Sequence, residues 1–505
     1  MKRIALVIGA CAFVLLSAAN AQKFIGSPAQ DLFDQVTFYL DTQYFGPSEV
    51  SIADLTAKYQ LEVDKTCEPQ GVQCGYDKVE GLITGMMDEL GDAHAYYVSA
   101  QEVRREREIA SGTSNSPVLR VGISSRFFCD TPTHRCTFNA QGFPTAEFFA
   151  DRLITYVVPG GPADLAGVKY GDRWIGHNDV LYSSASKNNE EYARLSEDFT
   201  KRVRAGETVT MIVLRGKERQ RLEIPVKGAT VNQAQLPWLE VRSDGIGVLN
   251  VPTYSVRGVG QSTHNRIYEA LSRGVKGLVL NMRDNDGGSG FEMLATAGAL
   301  IEQPEFFRDT TRYNPEKNNA DFGYDRTQNA VVYRTLQGTT LERLSVQNPQ
   351  LYKGPLAVLV NSSCASACEY VASLIQRAKR APVIGEDTLG IGNTNSQWFP
   401  LVNGGAAGMP TTQAFWLDGT PLPATVKPDL PTPDYEFQWF QTGVDTGMDA
   451  ALKAVSGSSS AAVTSTQVVS RVTLGAPMPT LGGADLIADA LAMTMGARPT
   501  ASNLL

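Results

Sequence analysis

Histidine is scarce in this chain: four among 505 residues, at His94, His134, His177 and His264. Any imidazole chemistry has to come from one of those positions. Dense runs of lysine and arginine are absent, and the formal net charge is −8. Phosphate backbones are held by basic patches, so nucleic acid is excluded as the main partner. There is no CxxC pair and no clustered histidine, which removes the usual zinc spacing. No metal and no cofactor is implied. Past the N-terminal segment no apolar run is long enough to span a bilayer. What remains is ordinary globular composition, 43% hydrophobic and 19% charged. The length allows roughly two or three domains.

The N-terminus reads as a secretory signal over residues 1–21. Lys2 and Arg3 give a basic start, Ile4 to Leu16 an apolar stretch, and Ala19-Asn20-Ala21 a small-x-small cleavage site. The expected destination is the periplasm or the medium, with no membrane span left after cleavage. Cys11 would leave with the signal. The other cysteines fall in close pairs, Cys67/Cys74, Cys129/Cys136 and Cys364/Cys368. An oxidising compartment permits disulfides, although sequence leaves the connectivity open. Cys129/Cys136 brackets a short hairpin-like segment, and a bridge across Cys67/Cys74 is plausible. Cys364 and Cys368 are four apart on one helix face, so their oxidation or reduction would reshape the turn between them.

Residues 28–115 read as mainly helical, with apolar periodicity from Asp31 and again over Val79 to Leu90, stopped at Gly91. Residues 117–228 switch to short strands and turns, among them Val118 to Ile123 and Arg152 to Val158. Residues 240–455 alternate apolar strands with helices. Ile246 to Val251, Gly277 to Met282 and Leu356 to Val360 are strands, and Ala365 to Ala378 is a helix. That alternation predicts a parallel-rich α/β sheet. Residues 456–505 are low in complexity, with one helix expected near Asp485 to Met495.

Two segments carry chemistry. In the first, the strand Val358 to Val360 runs through Asn361-Ser362-Ser363-Cys364-Ala365 into Ser366-Ala367-Cys368-Glu369 and a helix. A hydroxyl at that junction sits beside unpaired N–H groups and the positive end of the helix dipole. Those are the needs of an acyl-transfer nucleophile with an oxyanion site. A plain serine helix cap has the same look. The second segment, Leu280 to Gly288, is a buried strand ending in a polar turn. Its Gly287 or Gly288 could give one N–H to an oxyanion and Ala367 the other.

Together these pieces resemble the C-terminal-processing (tail-specific) serine peptidases. That family's SASASE element matches Cys364 to Glu369, with both outer serines replaced by cysteine. Its DLRxNxGG element matches Asn281 to Gly288, its GExTxGKG element Gly385 to Gly392, and its GVxPD element Thr425 to Asp429. Gly161 to Ile175 looks like a PDZ segment. The resemblance implies a ClpP/crotonase-like α/β core, an inserted PDZ-like β domain and an N-terminal helical domain. It implies cleavage of polypeptide chains bound by their C-terminal tails. Arg120, Val121, Gly122 and Ile123 take the place of the loop that holds the chain-end carboxylate.

One position departs from the family. Where it carries a catalytic lysine, this chain has Ile391, which accepts no proton. His94 lies in Leu90-Gly91-Asp92-Ala93-His94-Ala95-Tyr96-Tyr97, similar to the family's LGDxHTxY element. The tricorn-like branch uses a histidine in this region as base, so His94 is the expected partner of Ser366. Its orienting group is open, with Asp92 and Glu386 as candidates. His264 is expected near the start of a core helix, at the surface. His134 falls in the hairpin and His177 in a turn. Lys379, at the far end of the nucleophile helix, is about 20 Å from its start. The alternative is a pseudopeptidase that binds chain ends without cutting them.

Overall fold

A computed structural model of the chain describes residues 26–110, 119–136, 144–185, 189–231, 235–311, 319–432 and 435–456. The expected signal segment and C-terminal extension lie outside them. The chain divides into two compact units. One comprises residues 1–107, 309–320 and 394–414, and the other residues 108–308, 321–393 and 415–505.

In the first unit, helix Pro28–Gln43 starts on Ser27, whose hydroxyl accepts from the Gln30 N–H, with proline in the first turn. Leu32, Phe33, Val36 and Leu40 recur at helical spacing and are fully buried. They share a core with Val63 of helix Ile52–Cys67 and with Met86 and Met87 of helix Glu80–Glu89. Ala407 and Met409 complete that core from far along the chain. Strand Tyr96–Val98 pairs antiparallel with Ala406–Trp416, which also pairs with Thr394–Pro400. The N-terminal helices are therefore packed on strands encoded 300 residues later. Cys67 and Cys74 are bonded, with Cα atoms 5.4 Å apart.

The second unit holds two layered pieces. An antiparallel sheet contains strands Ile123–Arg126, Arg152–Val157, Arg173–His177, Thr208–Arg215 and Gln220–Lys227, in that spatial order. Short helix Pro162–Ala166 and helix Asn189–Arg204 accompany it. Trp174, Phe199, Ile154 and Val213 form its core. The edge strand begins at Ile123; the expected strand from Val118 contributes only a bridge from Arg120 to Ala229. Cys129 and Cys136 are bonded.

The other piece is a sheet ordered Leu430–Pro431, Val383–Gly385, Leu356–Val360, Gly277–Asn281, Ile246–Asn250 and Trp238–Val241. All neighbours are parallel except the last pair. Four of these strands are buried along their whole length, as parallel strands covered on both faces must be. Ala451 and Val455 of helix Thr446–Ser456 pack on Val248, Val279, Leu359 and Ile384. Helix Gly290–Leu300, buried at every residue, packs between Val259–Ser272 and Ala367–Arg377. An antiparallel hairpin, Ala330–Thr335 with Thr340–Ser345, was not foreseen from the sequence.

The expectation for His264 is overturned. It is fully buried, its Nε2 3.0 Å from the Ala295 carbonyl while Nδ1 accepts from the Gln350 N–H. A histidine whose two ring nitrogens bond backbone is a satisfied core residue, and its complete burial excludes the surface placement.

Candidate active site

Strand Leu356–Val360 delivers the chain to the carboxyl edge of the parallel sheet, where open α/β folds bind ligands. The turn to helix Ala367–Arg377 is made at Ser366, with φ 52° and ψ −119°. This backbone region is costly for a residue with a Cβ, about 1–3 kcal/mol, and persists only where the surroundings impose it. The surroundings here are identifiable. The Ala365 N–H is held by the Asn285 carbonyl at 3.0 Å, and the Ser366 carbonyl accepts from Tyr370 at 3.1 Å. The Ser366 N–H donates to Glu369 Oε2 at 2.8 Å. A disulfide joins Cys364 to Cys368, bracketing Ser366 on both sides. A serine held in a strained backbone conformation on a sharp strand-to-helix turn has the nucleophile-elbow geometry.

Glu369 organises this turn. Besides Ser366, its carboxylate accepts from Thr388 Oγ1 at 2.6 Å, Gly390 N at 2.7 Å and Ile391 N at 3.0 Å. Burial pushes its pKa up to about 7, against the lowering pull of those donors. Gly392 lies so close that a Cβ there would sit 2.5 Å from Glu369 Cβ. The loop after Val383–Gly385 thus wraps the carboxylate, and Ile391 takes part through its backbone. The sequence does carry a signal for Glu369: Ser366-x-x-Glu369 is capping-box spacing.

The glycine turn meets the serine directly. A Cβ on Gly287 would stand 2.8 Å from Ser366 Cβ and 3.1 Å from the Ala367 nitrogen. Gly287 has φ 97° and Gly288 φ 130°, both left-handed conformations that favour glycine. The Gly287 N–H is taken by Asn285 Oδ1 at 2.9 Å. Among the described residues no acceptor takes the Gly288 or Ala367 N–H.

Below the turn, Asn361 is a hub. Its Oδ1 accepts from the Asp284 and Ser363 N–H groups, and its Nδ2 donates to Asp284 and Glu436. Arg126 of the antiparallel sheet's edge strand pairs with both Asp284 and Glu436 and donates to Ser363 Oγ at 2.6 Å. The edge strand is thereby anchored to the loop that leads into Ser366.

In the first unit, His94 is fully buried. Its Nδ1 lies 2.7 Å from Thr394 Oγ1, and its Nε2 has no partner among the described residues. Burial pushes its pKa down to about 3, so the ring is neutral at physiological pH. Asp92, one candidate orienter, grips the His94 backbone N–H at 2.9 Å and accepts from Tyr44. It does not touch the ring. Glu386, the other, accepts from the Ser362 N–H. Thr394 had no signal in the sequence. His177 bonds Tyr182 and Asp198, and His134 stacks on Phe437 at 3.6 Å between ring centroids. Lys379 follows the end of the nucleophile helix.

Val121 and Ile123 are buried, and Gly122 has φ 80°. The Val121 and Gly122 carbonyls accept from Ala163 and Val158, while no acceptor takes their N–H groups among the described residues. Among those residues no cluster of metal-ligating side chains occurs, and no helix is long and apolar enough to cross a membrane.

Residues 245–432 match the model of Peptidase family S41. The chain is similar to the carboxy-terminal processing protease CtpA of Bacillus subtilis, 21% identical over 333 residues. That match covers 63% of this chain and 56% of the relative. It is also similar to carboxyl-terminal-processing peptidase 2, chloroplastic, of Arabidopsis thaliana, 27% identical over 301 residues, covering 58% and 52%. The chain thus spans about half the length of these curated relatives. In fold it is similar to a candidate S41 protease from Bacteroides fragilis, with a TM-score of 0.51 at 14% identity, covering 84% of this chain and 97% of that one.

Proposed function

The chain belongs to peptidase family S41, and we propose that it is an exported serine endopeptidase that takes polypeptide chains by their C-terminal tails. Ser366 is the nucleophile. The single observation that carries the reading is its strained turn, wrapped by Glu369 and packed against Gly287 beside two unused N–H groups. Gly288 and Ala367 supply the oxyanion donors. Gly287 acts by contact, since its own N–H is engaged by Asn285.

His94 takes the Ser366 proton. Burial keeps the ring neutral and disfavours its protonated form, so the transfer relies on the open Nε2 lone pair, which has no partner among the described residues while Nδ1 is engaged by Thr394. Thr394 is the positioning residue that holds the ring through Nδ1, as second groups orient histidine bases in other hydrolases. Ile391 contributes only a backbone N–H to Glu369, so the proton transfer does not pass through that position.

The antiparallel sheet with its two helices serves as a PDZ-like tail-binding module. Arg120 to Ile123 hold the chain-end carboxylate on the Val121 and Gly122 N–H groups, and the chain adds as a strand along Ile123–Arg126. The N-terminal signal directs the protein across the membrane.

The test is labelling of mature protein with a fluorophosphonate serine probe at pH 7.5, comparing wild type with Ser366→Ala and His94→Ala. Labelling that needs both residues is expected. Labelling that survives His94→Ala assigns the base elsewhere. Folded protein that never labels supports the other reading, a peptide-binding scaffold without cleavage, which the isoleucine at position 391 favours.

A further inference from the structure

The antiparallel module of the second unit contains a buried cation with no counter-ion among the described residues. Arg152 opens the strand Arg152–Val157 and is only 7% exposed. Its guanidinium carbon lies 4.1 Å from the Phe127 ring centroid, 4.9 Å from Tyr192 and 5.5 Å from Trp174. Its one hydrogen bond, Nη1 to Ser125 Oγ, is long at 3.4 Å. Its Nε is buried without a partner. Three other arginines of this module behave differently. Arg126 pairs with Asp284 and Glu436, Arg173 with Asp151, and Arg215 with Asp172. Among the described residues no carboxylate pairs with Arg152. Burying a charge without a partner is costly, and aromatic faces offset only part of that cost.

Its place in the module identifies what is missing. Strand Ile123–Arg126 is the sheet edge, paired on one side only, with Ser125 opposite Ile154. Arg152 is two residues from Ile154 and so lies on the same face. Ile154 shares its core with Tyr192 and Phe199 of helix Asn189–Arg204. The guanidinium therefore stands between Phe127, just past the edge strand, and Tyr192 of that helix. It lies at the far end of the edge strand from Gly122.

We propose that Arg152 binds an Asp or Glu side chain of the docked polypeptide. This rests on the tail-docking reading above. A chain whose terminal carboxylate sits at Gly122 and which adds to the edge strand must run antiparallel to it. At about 3.3 Å per residue, the span from Ile123 to Phe127 places the acidic residue roughly three to five positions upstream of the chain end. The preferred substrate class is then a tail with a free carboxylate and a second negative charge at that spacing. Aromatic walls exclude water around the pair and strengthen it.

The experiment uses the mature Ser366→Ala protein, so that no ligand is cleaved. Fluorescent decapeptides carry a single Glu at the third, fourth or fifth position from a free C-terminus, each matched by a Gln peptide. Anisotropy is expected to show one of the Glu peptides binding about tenfold more tightly than its Gln partner. Arg152→Gln should erase that difference, and Arg152→Lys should restore part of it. Since Arg152→Gln also removes a packed side chain, the Glu/Gln comparison on the Arg152 protein decides by itself. Equal binding of every Glu/Gln pair, with binding lost on C-terminal amidation, overturns the acidic subsite and leaves tail docking intact. No binding by any peptide overturns tail docking and the subsite together.

Discussion

His94 Nδ1 lies 2.7 Å from Thr394 Oγ1, across 300 residues of sequence. Both groups are buried. The ring has one nitrogen engaged and one open among the described residues, which suits a base oriented by a neutral hydroxyl. Thr394→Val keeps the volume and removes that hydroxyl. Labelling of Ser366 by the fluorophosphonate is expected to slow roughly 10- to 100-fold, within what a positioned base supplies, and Thr394→Ser should restore it. With only four histidines in the chain, ring-nitrogen NMR can follow His94 directly. The expected signature is a single Nδ1–H tautomer in the wild type and a mixture in Thr394→Val. An unchanged ring spectrum and rate would remove Thr394 from the mechanism.

Glu369 is held by four donors on two oxygens. Glu369→Gln leaves one acceptor oxygen and sets an NH2 group against N–H donors. A buried donor stripped of its partner costs about 1–3 kcal/mol, so the variant should lose several degrees in Tm and at least tenfold in labelling rate. The pH dependence has two signs. Because burial raises the folded pKa to about 7 from the ordinary carboxylate value of 4.5, the ionised carboxylate costs stability as pH rises through that window. Protonation at lower pH occupies a lone pair that the turn needs. The site should therefore be better formed above pH 7 while the fold gains stability below it. Labelling measured from pH 5.5 to 8.5 should rise with a midpoint near 7, and Glu369→Gln should flatten that limb.

The disulfide between Cys364 and Cys368 closes around Ser366, and both cysteines are fully buried. It shares with Glu369 the work of holding φ 52° at the serine. Replacing both cysteines by serine should let the turn relax, with labelling reduced about tenfold, the size of the strain it holds. Mass spectrometry under non-reducing conditions confirms the bridge, and equal labelling by oxidised wild type and the double variant would show that the other restraints suffice.

Much of the core was legible because its signals are local. The strand Leu356–Val360 runs buried from end to end, and the small residues after it announce a tight turn into a helix. Gly287 and Gly288 mark the opposing turn for the same reason, since the left-handed backbone there requires glycine. The partner of the proposed base was hidden because it is distant in sequence. Thr394 and its neighbours look like an ordinary strand, and nothing in their pattern points to His94. Asp92 drew attention through proximity in sequence, yet its carboxylate is spent on backbone and on Tyr44. His264 was misplaced because its polar neighbours in the second turn of helix Val259–Ser272 do not reveal which face is buried. Its satisfied nitrogens come from Ala295 and Gln350, both distant in sequence.

Gly287 and Gly258 separate backbone strain from contact at the serine. Their φ values are nearly equal, 97° and 93°. A Cβ on Gly258 meets nothing within 4 Å, whereas one on Gly287 would stand 2.8 Å from Ser366 Cβ and from the Ala365 carbonyl. Gly258→Ala should therefore show only the left-handed penalty, about 1–2 kcal/mol in denaturant unfolding, with labelling retained. Gly287→Ala adds a clash with backbone that cannot move, because the Ala365 N–H is tied to Asn285. Its labelling should fall at least 100-fold, the scale of losing an oxyanion donor, in protein that still unfolds cooperatively. Equal labelling in the two alanine variants would mean that the glycine turn and the serine do not act as one site.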